Sequence, residues 1–362
     1  MKKIILAAAL LVHLNAISQD TSIQTAPVHP FSFSGYVEAY YSYDFNTPSN
    51  NTKPSYIYNY NRHNEFNLNL GYLQAAYNTE RVRARLAVAV GSYMNANYAA
   101  EPATIKNIFE ANAGYKISSK KNLWFDIGIM PSHIGFESAI GKDNWNLTRS
   151  LVAENSPYFE SGAKLSYGTD NGKLTISALV LNGWQRITRV DGNSLISFGT
   201  QINYKPNDKI TLNYSTFFGT DTPDSARLYR TYHDFYGIFQ LSPLLGITAG
   251  FDIGTQQSSP TGDGTNIWYS PVAILRLTPS NKWAFAFRGQ YYNDEHGVII
   301  SSSNPNGFIT SGWSANIDYM PAKNVSIRLE GLYFTSKYPV FTKDEIAKDN
   351  NAVITFSTAV SF

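Results

Sequence analysis

The sequence predicts an all-β protein, a transmembrane antiparallel β-barrel of about 16 strands, with 14 as the alternative count. Three observations carry that expectation. The chain ends on a strand-like stretch, 351–362, in which Ile354, Phe356, Val360 and Phe362 share one face with Thr358 as its polar member. Thr355, Ser357, Ala359 and Ser361 share the other face, because successive side chains of a strand point to opposite sides. Connections along the chain alternate between short and long. Beyond the N-terminus, no segment approaches the ~20 continuous apolar residues of a spanning helix, so a membrane protein of this sequence must cross with strands.

The N-terminus carries an export signal. Met1-Lys2-Lys3 is a short positive region, residues 4–14 are apolar apart from His13, and Ala16-Ile17-Ser18 places small residues where a signal peptidase reads. Residues 1–18 are therefore expected to be a cleaved signal peptide. Gln19 is the expected new N-terminus, and 19–30 a flexible lead without periodic pattern. The barrel is expected over 31–362.

From there the alternating pattern recurs in segments of roughly 9–15 residues, the length of tilted membrane strands. They are 31–45, 64–78, 82–94, 107–118, 122–130, 158–167, 173–182, 194–204, 209–219, 230–241, 245–256, 266–278, 282–293, 308–320, 324–336 and 351–362. Short turns rich in Pro, Gly, Asn, Asp, Ser and Lys fall at 79–81, 119–121, 168–172, 205–208, 242–244, 279–281 and 321–323. Between them lie 46–63, 95–106, 131–157, 183–193, 220–229, 257–265, 294–307 and 337–350. Strict alternation matches short periplasmic turns and long external loops, with both termini in the periplasm. A secreted sandwich or propeller has no reason to sort loop length by parity.

Composition is consistent with this. The chain has 25 Tyr, 21 Phe and only 15% charged residues, and its net charge of +2 offers no basic surface for nucleic acid. It has no cysteine, which removes disulfides, thiolate catalysis and cysteine metal sites.

Several strands separate cleanly into two faces. Val82, Leu86, Val88 and Val90 oppose Arg83 and Arg85; Phe125 and Ile127 oppose Asp126; Phe285 and Phe287 oppose Arg288; Ile327 and Leu329 oppose Arg328 and Glu330. Glu110 and Lys116 are set against Phe109, Ala111, Ala113 and Tyr115, and Glu38 and Asp44 against Phe33, Val37 and Tyr41. A mid-membrane Arg or Lys on the lipid face costs about 2–4 kcal/mol, so the charged faces must look inward. The expected pore-lining set is Glu38, Arg83, Arg85, Glu110, Lys116, Asp126, Glu160, Lys164, Arg288, Asp318, Arg328 and Glu330; Asp44, Asp234 and Asp252 also face inward. In 266–278 the pattern slips, and Arg276 has no assignable side. Tyr77, Tyr115, Tyr167, Tyr204, Trp283 and Tyr319, next to the turns, are expected to form interfacial girdles.

The longest connection, 131–157, carries His133, Glu137, Lys142, Asp143, Arg149 and Glu154, with Trp145. A loop of this length can fold into a lumen and narrow it, and these residues are the expected constriction set. The competing reading is an external shield. No catalytic constellation stands out: His233 and Asp234 are adjacent, so a strand points them to opposite sides. The six histidines show no metal-ligand spacing.

The chain resembles the putative β-barrel porin-2, OmpL-like family of Gram-negative outer-membrane proteins. The resemblance lies in Phe33-Ser-Gly-Tyr-Val-Glu-Ala-Tyr-Tyr, Asn64-Glu-Phe-Asn-Leu-Asn-Leu-Gly-Tyr-Leu-Gln-Ala, Met130-Pro-Ser-His-Ile-Gly-Phe-Glu, Asn155-Ser-Pro-Tyr-Phe-Glu-Ser-Gly-Ala-Lys-Leu and Leu181-Asn-Gly-Trp-Gln. It covers the first half of the mature chain in family order; the second half matches in pattern only. The Ser–Gln junction and Tyr/Asn-rich style resemble Bacteroidota proteins. The resemblance implies a porin and carries no site residues one by one.

The expected function is a passive diffusion channel for small hydrophilic solutes with weak ion selectivity, without enzyme activity, metal or cofactor. The alternative is a surface binding or adhesion barrel with a plugged lumen. Expected partners are outer-membrane lipid, the barrel-assembly machinery and small hydrophilic solutes, with no nucleic acid. Monomer and homo-oligomer are both left open.

Overall fold

A computed structural model describes residues 29–302 and 304–362 of the chain. The expected signal peptide, 1–18, and most of the lead lie outside the described residues. Sixteen antiparallel strands close into one barrel. They are β1 (Phe31–Asp44), β2 (Phe66–Asn78), β3 (Val82–Val90), β4 (Ile108–Lys116), β5 (Asn122–Pro131), β6 (Phe159–Gly168), β7 (Leu174–Leu181) and β8 (Ser197–Asn207). They continue with β9 (Ile210–Gly219), β10 (Arg230–Gln240), β11 (Leu245–Gln257), β12 (Thr265–Ser280), β13 (Trp283–Asp294), β14 (Phe308–Ala322), β15 (Val325–Ser336) and β18 (Asn350–Ser361). The loop between β15 and β18 forms its own small hairpin, β16 (Phe341–Lys343) with β17 (Ile346–Lys348).

Every barrel strand pairs with its neighbour in sequence, and β1 pairs with β18 to close the ring. Closure extends to the last residue: Phe362 N donates to Gly35 O at 3.0 Å, and Gly35 N donates to Phe362 O at 2.7 Å. A spanning sheet needs this, since an unpaired edge in hydrocarbon leaves costly backbone groups.

The outer face is apolar. Leu73, Leu86, Ile127, Phe198, Phe235, Phe287, Ile317 and Phe356 are exposed along its girth. Asp, Glu, Lys and Arg of the barrel strands share the inward parity, with Lys205 exposed at the turn end of β8. Trp283 and Tyr319 sit ring to ring at 4.7 Å, and Phe31 and Tyr77 at 4.8 Å, near the short-turn end. His233 stacks on Tyr214 on the outer face while Asp234 points inward.

Two local expectations need correction. The segment 82–94 leaves the sheet at Val90, and a short helix α1 (Ser92–Asn97) follows. Phe109, expected on the lipid face, is turned inward and stacks on Tyr72 at 5.6 Å. The register against β3 jumps from Glu110 to Ile108, so Phe109 is the extra residue of a β-bulge, which re-aims a side chain.

The core of the molecule lies inside the ring. Inward residues of β7, β9, β10, β12 to β15 and β18, among them Leu179, Phe217, Tyr232, Trp268, Phe308, Phe334 and Val353, cluster with Tyr56, Ile134 and Leu151 from the loops.

Candidate functional site

The 131–157 loop lies inside the barrel, and its backbone is tied to both sides. At its start, His133 bridges β6 and β9: Nδ1 meets the Glu160 carboxylate at 2.7 Å and Nε2 meets Thr216 O at 2.8 Å. Carbonyl and carboxylate oxygens both accept, so this pair of partners favours a charged His133 ring with hydrogens on both nitrogens. Burial opposes that charge, yet the Glu160 carboxylate more than offsets it and holds the His133 pKa above its ordinary value. The His133 carbonyl accepts from Gln201 Nε2 at 2.9 Å and Ser215 Oγ at 2.7 Å.

The loop then crosses the lumen. Phe136 and Trp145 pack with Val152 on Val272 and Ile274, the inner face of β12. That inner face is apolar, which explains the slipped pattern in 266–278. Arg276 also faces inward, 4.0 Å from Asp318 and 6.0 Å over the Trp145 ring.

On the far side the loop is fused to β13, β14, β15 and β1. Arg328 donates to Gly141 O, Asn144 O and Trp145 O at 2.8, 3.1 and 2.9 Å, and to Asp318 at 2.6 Å. Arg288 donates to Thr148 O at 2.6 Å and to Glu330 at 3.3 Å; Glu330 accepts from Thr148 N at 2.5 Å. Leu147 N donates to Asn316 Oδ1 at 2.9 Å and Leu151 N to Gln290 Oε1 at 2.6 Å. Gly141 lies against the Glu38 carboxylate, where a Cβ would collide with its oxygens.

A second loop, 46–63, enters from above, which the sequence reading did not anticipate. Tyr60 donates to Glu38 at 2.9 Å and Lys53 Nζ to Ser42 Oγ at 2.7 Å. Glu154 accepts from the Tyr58 and Asn59 amides at 2.9 and 3.2 Å and so joins the two loops. Burial pushes Glu154 up to about 7 and Lys53 down to about 8. The available signal was Tyr56, Tyr58 and Tyr60 in one external loop, more aromatic surface than a solvated loop needs.

The expected pore-lining residues thus divide into two sets. Glu38, Glu160, Arg288, Asp318, Arg328 and Glu330 point inward but are covered by loop, each below 5% exposure. Arg83, Arg85, Lys116 and Lys164, on β3, β4 and β6, keep part of their side chains open. Arg83 holds Asp126 at 2.5 Å and Arg85 reaches Glu110 at 3.4 Å, with the arginines 35% and 51% exposed and the carboxylates 6% each. Arg83 also lies over the Trp124 ring at 4.3 Å.

The expected constriction residues divide as well. Arg149 is the loop's internal staple, donating to Ser138 O at 2.6 Å, Leu147 O at 2.5 Å and Ala139 O at 3.0 Å. Glu137 accepts from the Ser150 amide at 3.1 Å and from its hydroxyl. Lys142 and Asp143 are the exposed pair, 2.8 Å apart. Between the loop and the β2–β4 wall a cavity of about 370 Å³ remains, lined by Tyr72, Gln74, Arg85, Phe109 and Glu110 opposite 132–140.

Comparisons with known proteins follow the same line. The family described as "Putative beta-barrel porin-2, OmpL-like" matches residues 30–362. No curated protein sequence matches the chain. Among solved structures, the anion-selective porin from Comamonas acidovorans superposes with a TM-score of 0.60 at 7% identity, covering 92% of this chain and 99% of that one. A trimer form of OmpT from Vibrio cholerae gives 0.57 at 8% identity, covering 92% and 99%. A further refined porin structure gives 0.56 at 10% identity, covering 92% and 100%. At such identities the likeness is one of fold.

Proposed function

Since the chain belongs to the putative β-barrel porin-2, OmpL-like family and is an outer-membrane porin by that membership, we propose that it works as a passive diffusion channel for small hydrophilic solutes. The observation that carries this is the open row of Arg83, Arg85, Lys116 and Lys164 facing an inward-folded loop. Charged side chains left partly exposed inside a closed ring need water, and water there gives a path. The 131–157 loop narrows that path, with Lys142, Asp143 and the cavity beside Arg85 at its edge. Ion selectivity is weak, because Arg83 and Arg85 are partly neutralised by Asp126 and Glu110. What bias remains favours anions, since the guanidiniums are open and their carboxylates are tucked behind them.

The apolar outer face suits outer-membrane lipid, and insertion by the barrel-assembly machinery goes with that location. Export by a cleaved signal at 1–18 is part of the same reading. The loop residues are used for structure, and we assign no catalytic role to any of them.

One observation favours the second reading, a plugged binding barrel: the inner faces of β13, β14, β15, β18 and β1 are almost wholly covered. Planar-bilayer recording separates the two. The channel reading expects stable open steps that grow when 132–156 is replaced by a short turn. Silence from both folded proteins would discard the channel and leave the plugged barrel.

A further inference from the structure

The motif Leu181-Asn182-Gly183-Trp184-Gln185 is not used by the narrowing loop, and it builds a second site at the outer end of the barrel. Asn182 Nδ2 donates to Ile187 O at 2.7 Å, and Gln185 Oε1 accepts from Tyr158 N at 2.8 Å. Trp184 N donates to Asp221 Oδ1 at 3.0 Å. Gly183 has φ +153°, and a Cβ there would strike the Asp221 carboxylate, so this turn takes only glycine.

The turn sets the Trp184 ring against Phe217 at 5.0 Å and Tyr232 at 4.8 Å. The Arg230 guanidinium lies between two indoles, 5.3 Å from Trp184 and 5.8 Å from Trp268. It is held in place by Gln256 Oε1 at 2.7 Å and by Asp221 at 3.7 Å. Above this floor is a cavity of about 600 Å³, walled by six of the long loops and distinct from the cavity beside Arg85. Its size falls in the range of about 300–1,000 Å³ typical of small-molecule sites.

The lining chemistry narrows the ligand. Tyr58 and Trp184 leave part of their rings open to the cavity. Around them are planar polar ends: Gln185, Gln256, Arg186 and Arg230, with Asp221. Asn97 is 6% exposed, lines the same cavity, and its side-chain NH₂ has no protein partner. Both signs of charge are present and largely engaged: Arg186 and Arg230 stand with Asp221, Glu101 and Glu154, Asp221 lies 3.7 Å from Arg230, and the Glu101 and Glu154 carboxylates accept from backbone amides. A strongly charged solute gains little from such a site. A purely apolar one would leave the buried Asn97 NH₂ without a partner. A ring with apolar C–H faces and a rim of hydroxyls satisfies both kinds of wall.

We propose that this outer cavity is a docking site for neutral saccharides, with Trp184 and Tyr58 as stacking surfaces and Gln256, Arg230 and Asn97 as hydroxyl partners. The site depends on the porin reading only for its purpose, which is to concentrate the solute at the mouth.

Titration of the full barrel in detergent micelles with maltotriose, cellotriose and chitotriose, read by calorimetry and tryptophan fluorescence, tests it whether or not the barrel conducts. Saturable binding of at least one trisaccharide is expected. It should weaken by about tenfold or more in Trp184→Ala and in Gln256→Ala, and survive in Trp184→Phe. Heat-modifiable gel migration reports that each variant is folded. Binding of none of the three by folded protein, or binding that all the variants retain, would overturn the site. Binding of inorganic phosphate in place of the sugars would overturn its neutral character.

Discussion

Two walls of one barrel use the same kinds of residue for different ends. On β13, β14 and β15, Arg288, Arg328, Asp318 and Glu330 are spent on loop backbone and on each other, and on β1 Glu38 is spent on the Tyr60 hydroxyl and the Asn69 amide. On β3, β4 and β6, Arg83, Arg85, Lys116 and Lys164 remain partly exposed. The difference does not lie in the facing of these residues, which point inward on both walls. It lies in where the 131–157 loop lands. A guanidinium with five fixed donors can bind several loop carbonyls at once, and Arg328 does so; an arginine with no loop above it keeps to water.

The largest effect is expected on the covered wall. Arg288→Ala leaves Glu330 buried without its cation and Thr148 O without a donor, a loss of about 3–5 kcal/mol. Urea unfolding from lipid vesicles should show it, with noisy conductance from a loosened loop. A stability equal to the parent would mean that the wall and the loop are not coupled. Gly141→Val is expected to come next, at about 1–3 kcal/mol, because its side chain needs the space of the Glu38 carboxylate. Crowding there should lift the loop from β1 and show as a changed single-channel step.

A smaller effect follows from Glu154, whose folded pKa is pushed up to about 7 by burial. A raised carboxyl pKa means that its stabilising contribution is complete below the unfolded value and is lost as pH rises through about 7. Amide exchange at Tyr58 and Asn59 should therefore quicken between pH 5 and pH 8, after correction for intrinsic rates, and Glu154→Gln should flatten that dependence. An unchanged slope in the variant would remove Glu154 as the cause. On the open wall, Arg85→Ala should cost at most about 1 kcal/mol, because its pair with Glu110 is screened by water. Its reversal potential in a salt gradient should nevertheless shift toward cations. A large loss of stability without such a shift would erase the distinction between the walls.

Strands, closure and the faces of the charged residues were legible in the sequence, because a period of two and a lipid exterior leave few choices. What covers a face was not legible. Arg288 and Arg85 look alike in their strands, and only a loop more than a hundred residues away from Arg288 in sequence separates their roles. Phe109 was misplaced because a bulge adds one residue and reverses the local parity. The slip in 266–278 was the one trace of the loop that reached the strands, since Val272 and Ile274 are apolar for Phe136 and Trp145. The inward course of 46–63 was written only in its tyrosines.

The chain has no cysteine, so single introduced thiols report their own surroundings without background. The most direct measurement is the rate at which a charged, water-soluble thiol reagent modifies Arg85→Cys and Lys164→Cys against Ser357→Cys and Thr355→Cys in the folded barrel. Rapid reaction at the first pair and protection at the second is the predicted result. Equal rates at all four positions would contradict a loop fused to one wall and a water path along the other.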